Sequence, residues 1–159
     1  MTRKIKATSV DGQVHAMRNV LADPLPPPWP LSKDQKPIWD EILLRRSRDE
    51  WQSVDLRFVW DLSKVLVSLR EEEKHLAREG FIIDSERGPK VNPRGQVVRL
   101  LSAQSRDLAR YLRIHPASDA EHPTKVIGGR KAEQEARAAV APAKRATVDA
   151  RRQARLLPQ

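Results

Sequence analysis

Residues 80–93, GFIIDSERGPKVNP, decide the fold because they join the two longest helical patterns of the chain. Gly80 follows an amphipathic stretch and predicts a left-handed C-cap. Asn92 and Pro93 place an N-cap residue before a proline at the first helical position, so a new helix should begin there. Between these signals, two short apolar runs bracket a polar loop with glycine, which predicts a small β-hairpin over residues 81–91.

The patterns on either side predict two long helices. The first should run from about Val54 to Glu79, with Ser53 as its N-cap and Asp55 near its positive N-terminus. The second should run from Asn92 to about Arg113. Their apolar stripes predict an antiparallel helical hairpin that carries the only real core of the chain. The residues expected to build that core or an interface between copies are Leu62, Leu66, Leu69, Leu101, Leu108 and Leu112.

Two shorter helices and a proline-rich segment precede this hairpin. Residues 9–22 carry apolar side chains at helical spacing, with Ser9 as a candidate cap and a stop at Asp23-Pro24. Residues 25–30 hold four prolines in six positions, which predicts a semi-rigid spacer with Trp29 packed onto the fold. Residues 32–48 predict the next helix, and a start near Lys36 is equally acceptable because proline is tolerated in a first turn.

The two ends of the chain carry few large apolar groups. Residues 1–8 are basic and are expected to be disordered. Residues 119–123 indicate a linker, 124–127 a short strand, and the alanine- and arginine-rich segment that follows cannot bury enough surface to fold alone. That segment is either disordered or ordered by neighbouring subunits or a partner. The chain therefore divides into a basic arm, short helix and linker over 1–31, a helical core over 32–118, and a basic tail over 119–159.

The composition makes polyanions the expected partners. The 159 residues include 30 lysines and arginines against 21 acidic residues, which gives a net charge of +9. Each basic side chain placed on a phosphate releases counterions, so this balance favours nucleic acid. Cysteine is absent, which excludes disulfides and thiolate metal sites. No apolar run is long enough to cross a bilayer or to form a signal peptide, so a cytoplasmic protein without membrane contact is expected.

Sequence motifs for catalysis are missing. Neither the phosphate-binding G-x-x-x-x-G-K-[ST] pattern nor the nucleophile pattern G-x-S-x-G occurs. The four histidines lack zinc-ligand spacing, and the acids of the run 71–73 point in different directions around a helix. We therefore expect no enzyme activity, no cofactor and no metal.

A helix-turn-helix arrangement fits the region around residue 50. The helix over 32–48, the break at 49–52 and the helix from Ser53 have its order, and the start of its second helix enters the major groove. Asp49, Glu50 and Asp55 would repel phosphates and oppose this placement, and a solvated basic face is the alternative. The candidate base-reading residues are Gln52 and Ser53, and the candidate phosphate contacts at the corner are Arg45, Arg46, Arg48 and Arg57. Two basic arms are further candidates: Arg3, Lys4 and Lys6 near one end, and Lys144, Arg145, Arg151 and Arg152 near the other.

An ordered series of signals resembles the P27-like small subunits of phage DNA-packaging terminases. The series comprises Leu31-Ser32 followed by Trp39, the Ser53-x-Asp55 helix start, the Gly80 stop, Asn92-Pro93, and the exit Leu112-x-Ile114-x-Pro116-x-Ser118. The chain departs from the family at positions 113, 115 and 119, which hold Arg, His and Asp where the family tends to have glycine, threonine and arginine.

The resemblance implies a mainly α fold, with an N-terminal helix-turn-helix-like region and a small β element, assembled into a ring. Such rings commonly hold roughly eight to eleven copies, and we expect about nine here. Small terminase subunits recognise the packaging-initiation site on double-stranded phage DNA. They also recruit and regulate the large subunit, which supplies the ATPase and the nuclease. Residues 124–127 or the 81–91 hairpin are the candidate strands for a β-lined channel.

Two other functions fit the same residues. A helix-turn-helix transcription regulator, expected to be dimeric, would use the same basic corner. A scaffold or assembly protein would instead bind RNA or an acidic partner through its basic tails.

Overall fold

The structure, a computed structural model, describes residues 9–85, 88–114 and 128–142. These residues form five α-helices, a short 3₁₀ helix and a two-stranded sheet, which confirms a mainly helical fold with a small β element. The elements in chain order are α1 (Val10–Leu21), α2 (Gln35–Leu43), the 3₁₀ helix (Arg48–Glu50), α3 (Ser53–Glu79), β1 (Ile82–Ile83), β2 (Lys90–Val91), α4 (Arg94–Tyr111) and α5 (128–142). None of the helices within these ranges is long and apolar enough to cross a membrane.

The described residues fall into two units. The smaller one contains α1 and α5. The Ser9 hydroxyl accepts a hydrogen bond from the Gly12 backbone N–H at 3.2 Å, so Ser9 caps α1 as expected. Helix α5 spans residues 128–142, within the segment that the sequence predicts cannot fold alone, and Arg137 donates to the buried Glu133 carboxylate one turn earlier. The strand predicted at 124–127 lies outside the described residues.

The larger unit has its core between α2 and the first half of α3. The fully or nearly buried cluster consists of Ile38, Trp39, Ile42, Trp51, Val59, Leu62 and Leu112. The expectation that the α3–α4 hairpin holds the only core is therefore wrong. Helix α2 supplies three members of the cluster, whereas no residue within α4 itself is buried. Leu112, which follows α4 directly, closes the cluster.

Helix α2 is shorter than its sequence pattern predicts. The turn that leads into it is held by reciprocal hydrogen bonds, in which the Gln35 backbone N–H donates to the Ser32 hydroxyl and the Ser32 N–H donates to the Gln35 side chain, both at 3.1 Å. The helix ends at Leu43 and not near Arg48. The chain turns there, because the Trp51 indole N–H donates a hydrogen bond to the Leu43 carbonyl at 3.2 Å. A separate 3₁₀ helix then forms residues 48–50.

The elbow between α3 and α4 is tied by one buried carboxamide. Asn92, only 2% exposed, donates to the Glu79 carboxylate and to the Gly80 carbonyl, each at 3.0 Å. Its side-chain oxygen accepts from the Arg94 backbone N–H at 3.0 Å, so it also caps the start of α4. Between the two helices, β1 and β2 pair antiparallel, with Ile82 opposite Val91. The predicted hairpin is thus present.

An ion-pair network supports this elbow. Arg94 donates to both Glu79 oxygens at 2.9 Å and to the Glu72 carboxylate at 2.6 Å. The Asn92 hydrogen bond and the Arg94 guanidinium hold the pKa of Glu79 below its ordinary value of 4.5. Because the folded state lowers that pKa, the tie favours folding above the ordinary carboxyl range and weakens as the pH falls through the lowered value.

Gly80 ends α3 with a backbone that only glycine adopts readily. Its φ is +83° as predicted, but its ψ of 164° lies outside the left-handed helical region, so the expected left-handed cap is corrected to an extended mirror-image turn. An added Cβ would meet no heavy atom closer than 3.5 Å, so the penalty for a side chain is one of backbone conformation.

We predict that Gly80→Ala lowers the free energy of unfolding by about 1–3 kcal/mol, because alanine must occupy a strained backbone region. Urea denaturation monitored by circular dichroism measures the change. Gly95→Ala is the matched control: Gly95 lies in α4 with open space around it, so alanine should be neutral or stabilise by about 0.5–1 kcal/mol. Equal effects of the two substitutions would contradict this account of the elbow.

Candidate nucleic-acid interface

Arg46 holds the turn between α2 and α3 together. Its side chain is only 14% exposed, and its guanidinium donates to the Glu50 carbonyl at 2.6 Å and to the Leu112 carbonyl at 3.3 Å. The guanidinium also lies 4.5 Å from the centre of the Trp51 ring and pairs with the Asp55 carboxylate at 3.5 Å. One side chain therefore joins the end of α2, the start of α3 and the residue after α4.

Two acidic side chains at this turn, Glu50 and Asp55, pair with groups of the turn itself. Asp55 pairs with Arg46 and also accepts the Gln52 backbone N–H at 3.2 Å, and the Glu50 carboxylate lies 3.5 Å from the Arg46 side chain. The Glu50 carboxylate accepts the Ser47 backbone N–H as well. Two of the three acids expected to oppose phosphate binding are thus partly neutralised by the Arg46 guanidinium.

The start of α3 presents polar side chains to solvent. Gln52 is the N-cap and Ser53 the first helical residue, so the cap lies one position before the predicted cap at Ser53. Both are exposed, as is Val54 beside them. The turn next to them is held by Arg46 and Trp51, so the start of α3 is both accessible to solvent and fixed in position.

The structure does not bring the four corner arginines onto one surface. Arg46 is committed to the turn, and Arg48 is half-buried with partners of its own. Arg45 is 62% exposed, pairs with Glu41, and lines a groove with Leu62 and Leu66. Arg57 lies nine residues before Leu66, which is about half a turn of phase away, so it projects from the opposite side of α3.

The outer side of α3 carries a set of residues in which only Arg57 was a candidate from the sequence, whereas Trp60 and Lys64 were not. Arg57, Trp60 and Lys64 have helical spacings of three and four, and Trp29 of the proline-rich segment packs onto them: its ring centre lies 5.1 Å from that of Trp60. The expected packing of Trp29 onto the fold is confirmed. The spacing of Arg57, Trp60 and Lys64 would have signalled a common face, whereas nothing local in the sequence places Trp29 there.

The remaining candidate residues sort by position. Among the predicted core or interface leucines, Leu62 and Leu112 are buried, and Leu66, Leu69, Leu101 and Leu108 are half-buried. The basic arms (Arg3, Lys4, Lys6, Lys144, Arg145, Arg151 and Arg152) lie outside the described residues, so their DNA contacts stay predictions. Within the described ranges, no three acidic or histidine side chains gather as a metal site would require.

The family model of the Hendrixvirinae small terminases matches residues 1–154. The chain belongs to the Hendrixvirinae small terminase family. No curated protein matches the sequence. The resemblance to phage small terminases is confirmed, whereas the P27-like detail stays a prediction. As a member, the chain is a DNA-packaging small subunit.

We predict that Arg46→Met in this small terminase subunit lowers the free energy of unfolding by about 2–4 kcal/mol, because it leaves Asp55 and the Leu112 carbonyl without their buried cation. Arg45→Met removes the same charge from an exposed i,i+4 pair and should change stability by no more than about 0.5 kcal/mol. Chemical denaturation of both variants measures the two changes in the free energy of unfolding. A silent Arg46→Met would show that this guanidinium does not hold the turn.

Proposed function

We propose that this small terminase subunit recognises the packaging-initiation site of its phage DNA through the start of α3, within a helix-turn-helix-like pair formed by α2 and α3. The observation that carries the proposal is the exposed helix start on a turn fixed by the largely enclosed Arg46 side chain, which is 14% exposed. Gln52 and Ser53 are side chains that hydrogen-bond base edges, and they occupy the position from which a recognition helix reads DNA.

The proposed subunit acts as a closed homo-oligomer. Helix α4 leaves Val97, Leu100 and Tyr111 exposed, and the β-hairpin leaves Phe81, Ile82 and Val91 exposed. Exposed apolar groups that recur along one helix and its adjoining hairpin favour burial against another chain. Several copies in a ring would also multiply weak DNA contacts into a stronger total affinity.

In the proposed role, the small subunit itself catalyses no reaction. In this proposal the large terminase subunit supplies the ATPase and nuclease, and the small subunit brings that enzyme to the marked DNA. The sequence contains no phosphate-binding loop of the G-x-x-x-x-G-K-[ST] type, which supports the division of labour.

We predict that Gln52→Ala combined with Ser53→Ala reduces the preference for site-bearing DNA by about 10- to 100-fold, since each base contact contributes about 1–3 kcal/mol of discrimination. Fluorescence anisotropy compares duplexes tiled across the phage genome with scrambled duplexes of equal length. Gln96→Ala, on the exposed surface of α4, serves as the control and should have no effect. An equal loss of affinity for site-bearing and scrambled DNA would show that residues other than Gln52 and Ser53 read the bases.

We predict that the purified wild-type chain forms a particle of several subunits and that Leu100→Asp dissociates it without unfolding the monomer, because Leu100 is 70% exposed within one chain. Light scattering gives the mass, and circular dichroism checks the fold. Gln13→Asp adds the same charge at an exposed position of α1, outside the apolar stripe of α4, and should leave the particle intact. A wild-type monomer would refute the ring, and a wild-type dimer that binds a palindrome would favour the transcription regulator.

A further inference from the structure

Two cations on the outer side of α3 lie against indole rings. The Arg57 guanidinium lies 5.6 Å from the Trp29 ring centre, and the Lys64 ammonium lies 5.5 Å from the Trp60 ring centre. The two rings meet edge-on, with their centres 5.1 Å apart. We call these four side chains the indole ladder.

Two elements hold the ladder in place. Arg57, Trp60 and Lys64 share one face of α3 with the exposed Ser53 at its start, since they follow Ser53 at intervals of three and four residues. The proline-rich segment brings Trp29 to that face, where the Trp60 indole N–H donates to the Pro30 carbonyl at 3.4 Å. Because prolines restrict this segment, Trp29 is held beside the helix with 44% of its surface exposed.

The partners of these cations leave their charge uncompensated. Arg45 and Arg94 pair with carboxylates, which orient the guanidinium but also neutralise it. An indole ring orients a cation through its quadrupole and carries no net charge. Asp61 lies on the same face, four residues after Arg57 and three before Lys64, yet among the residues that the structure describes neither cation forms an ion pair with it or with another carboxylate. The ladder therefore presents two oriented, unneutralised positive charges about 10 Å apart along the helix.

We propose that the indole ladder is a phosphate-binding site for the backbone of duplex DNA, beside the bases that face the start of α3. This inference rests on the proposed function, because the ladder and the helix start share one exposed face. Oriented cations with full charge fit a chain of phosphodiesters, since each contact releases counterions from the duplex. The aromatic rings are already packed against each other and against the cations, which favours backbone contact over stacking with unpaired bases.

The test measures binding of the full chain to a labelled duplex of scrambled sequence over a series of salt concentrations. Arg57→Gln with Lys64→Gln should flatten the slope of log K against log salt by about 1.8 per subunit in contact, and should weaken binding by roughly 10- to 100-fold at low salt. Arg70→Gln with Arg106→Gln is the charge-matched control, because those two exposed arginines line the groove beside Leu66 on the other side of α3.

A second variant tests the orienting effect of the Trp29 ring separately from the charge of the two cations. Trp29→Leu keeps both cations, so the salt slope should stay unchanged while the affinity falls about two- to fivefold from the lost cation–ring contact. Trp29→Phe should restore most of that affinity. Wild-type tryptophan emission should also be quenched by DNA, because Trp29 is exposed at the ladder whereas Trp39 and Trp51 are buried.

The outcomes distinguish the two proposals. A wild-type chain that fails to bind any duplex overturns both the proposed function and the ladder. A wild type that binds normally, while the Arg57/Lys64 and Arg70/Arg106 variants lose the same slope, overturns the ladder alone. The ladder proposal is also overturned if the wild-type chain binds a single-stranded oligonucleotide more tightly than the duplex. The same holds if its tryptophan emission is unquenched when the chain is saturated with DNA.

Discussion

The larger unit depends on one arginine that points inward. The Arg46 side chain lies close to acceptors from the turn after α2, from the start of α3 and from the residue after α4. A buried guanidinium stays charged, so each of these acceptors must remain in place for the charge to be compensated. The exposed start of α3 lies next to this turn and is held in position by the same contacts. In the proposed function, affinity for DNA benefits because such a surface needs no ordering on binding.

The elements with local signals were predictable from the sequence. Ser9 and the Ser32–Gln35 pair act on backbone groups within three residues, and Gly80 is required by its own φ angle. Asn92 marks the start of α4, although its additional bonds to the end of α3 cross the hairpin and leave no pattern in the chain. Boundaries that depend on distant partners were less accurate. The end of α2 is an example, because the Trp51 ring eight residues away determines it.

The candidate site was predictable only in part. Sequence spacing locates the start of α3 and the exposed Gln52 and Ser53 within one residue. The direction of each arginine could not be derived, because Arg45 and Arg46 are neighbours and yet one is exposed and the other buried against a carbonyl 66 residues away. Likewise, Trp29 reaches α3 through a hydrogen bond between residues 30 and 60. Pairings across such separations arise from tertiary packing, which local periodicity does not encode.

Helix α3 has a mechanical consequence for the whole subunit. With 27 residues it is about 40 Å long, and it runs from the exposed polar start at Gln52 to the glycine elbow without an internal proline or glycine. A continuous helix of this kind transmits displacement with little loss. A tilt imposed at its first turn therefore moves the β-hairpin at its far end by a distance proportional to that length, so that the two ends of α3 cannot shift independently.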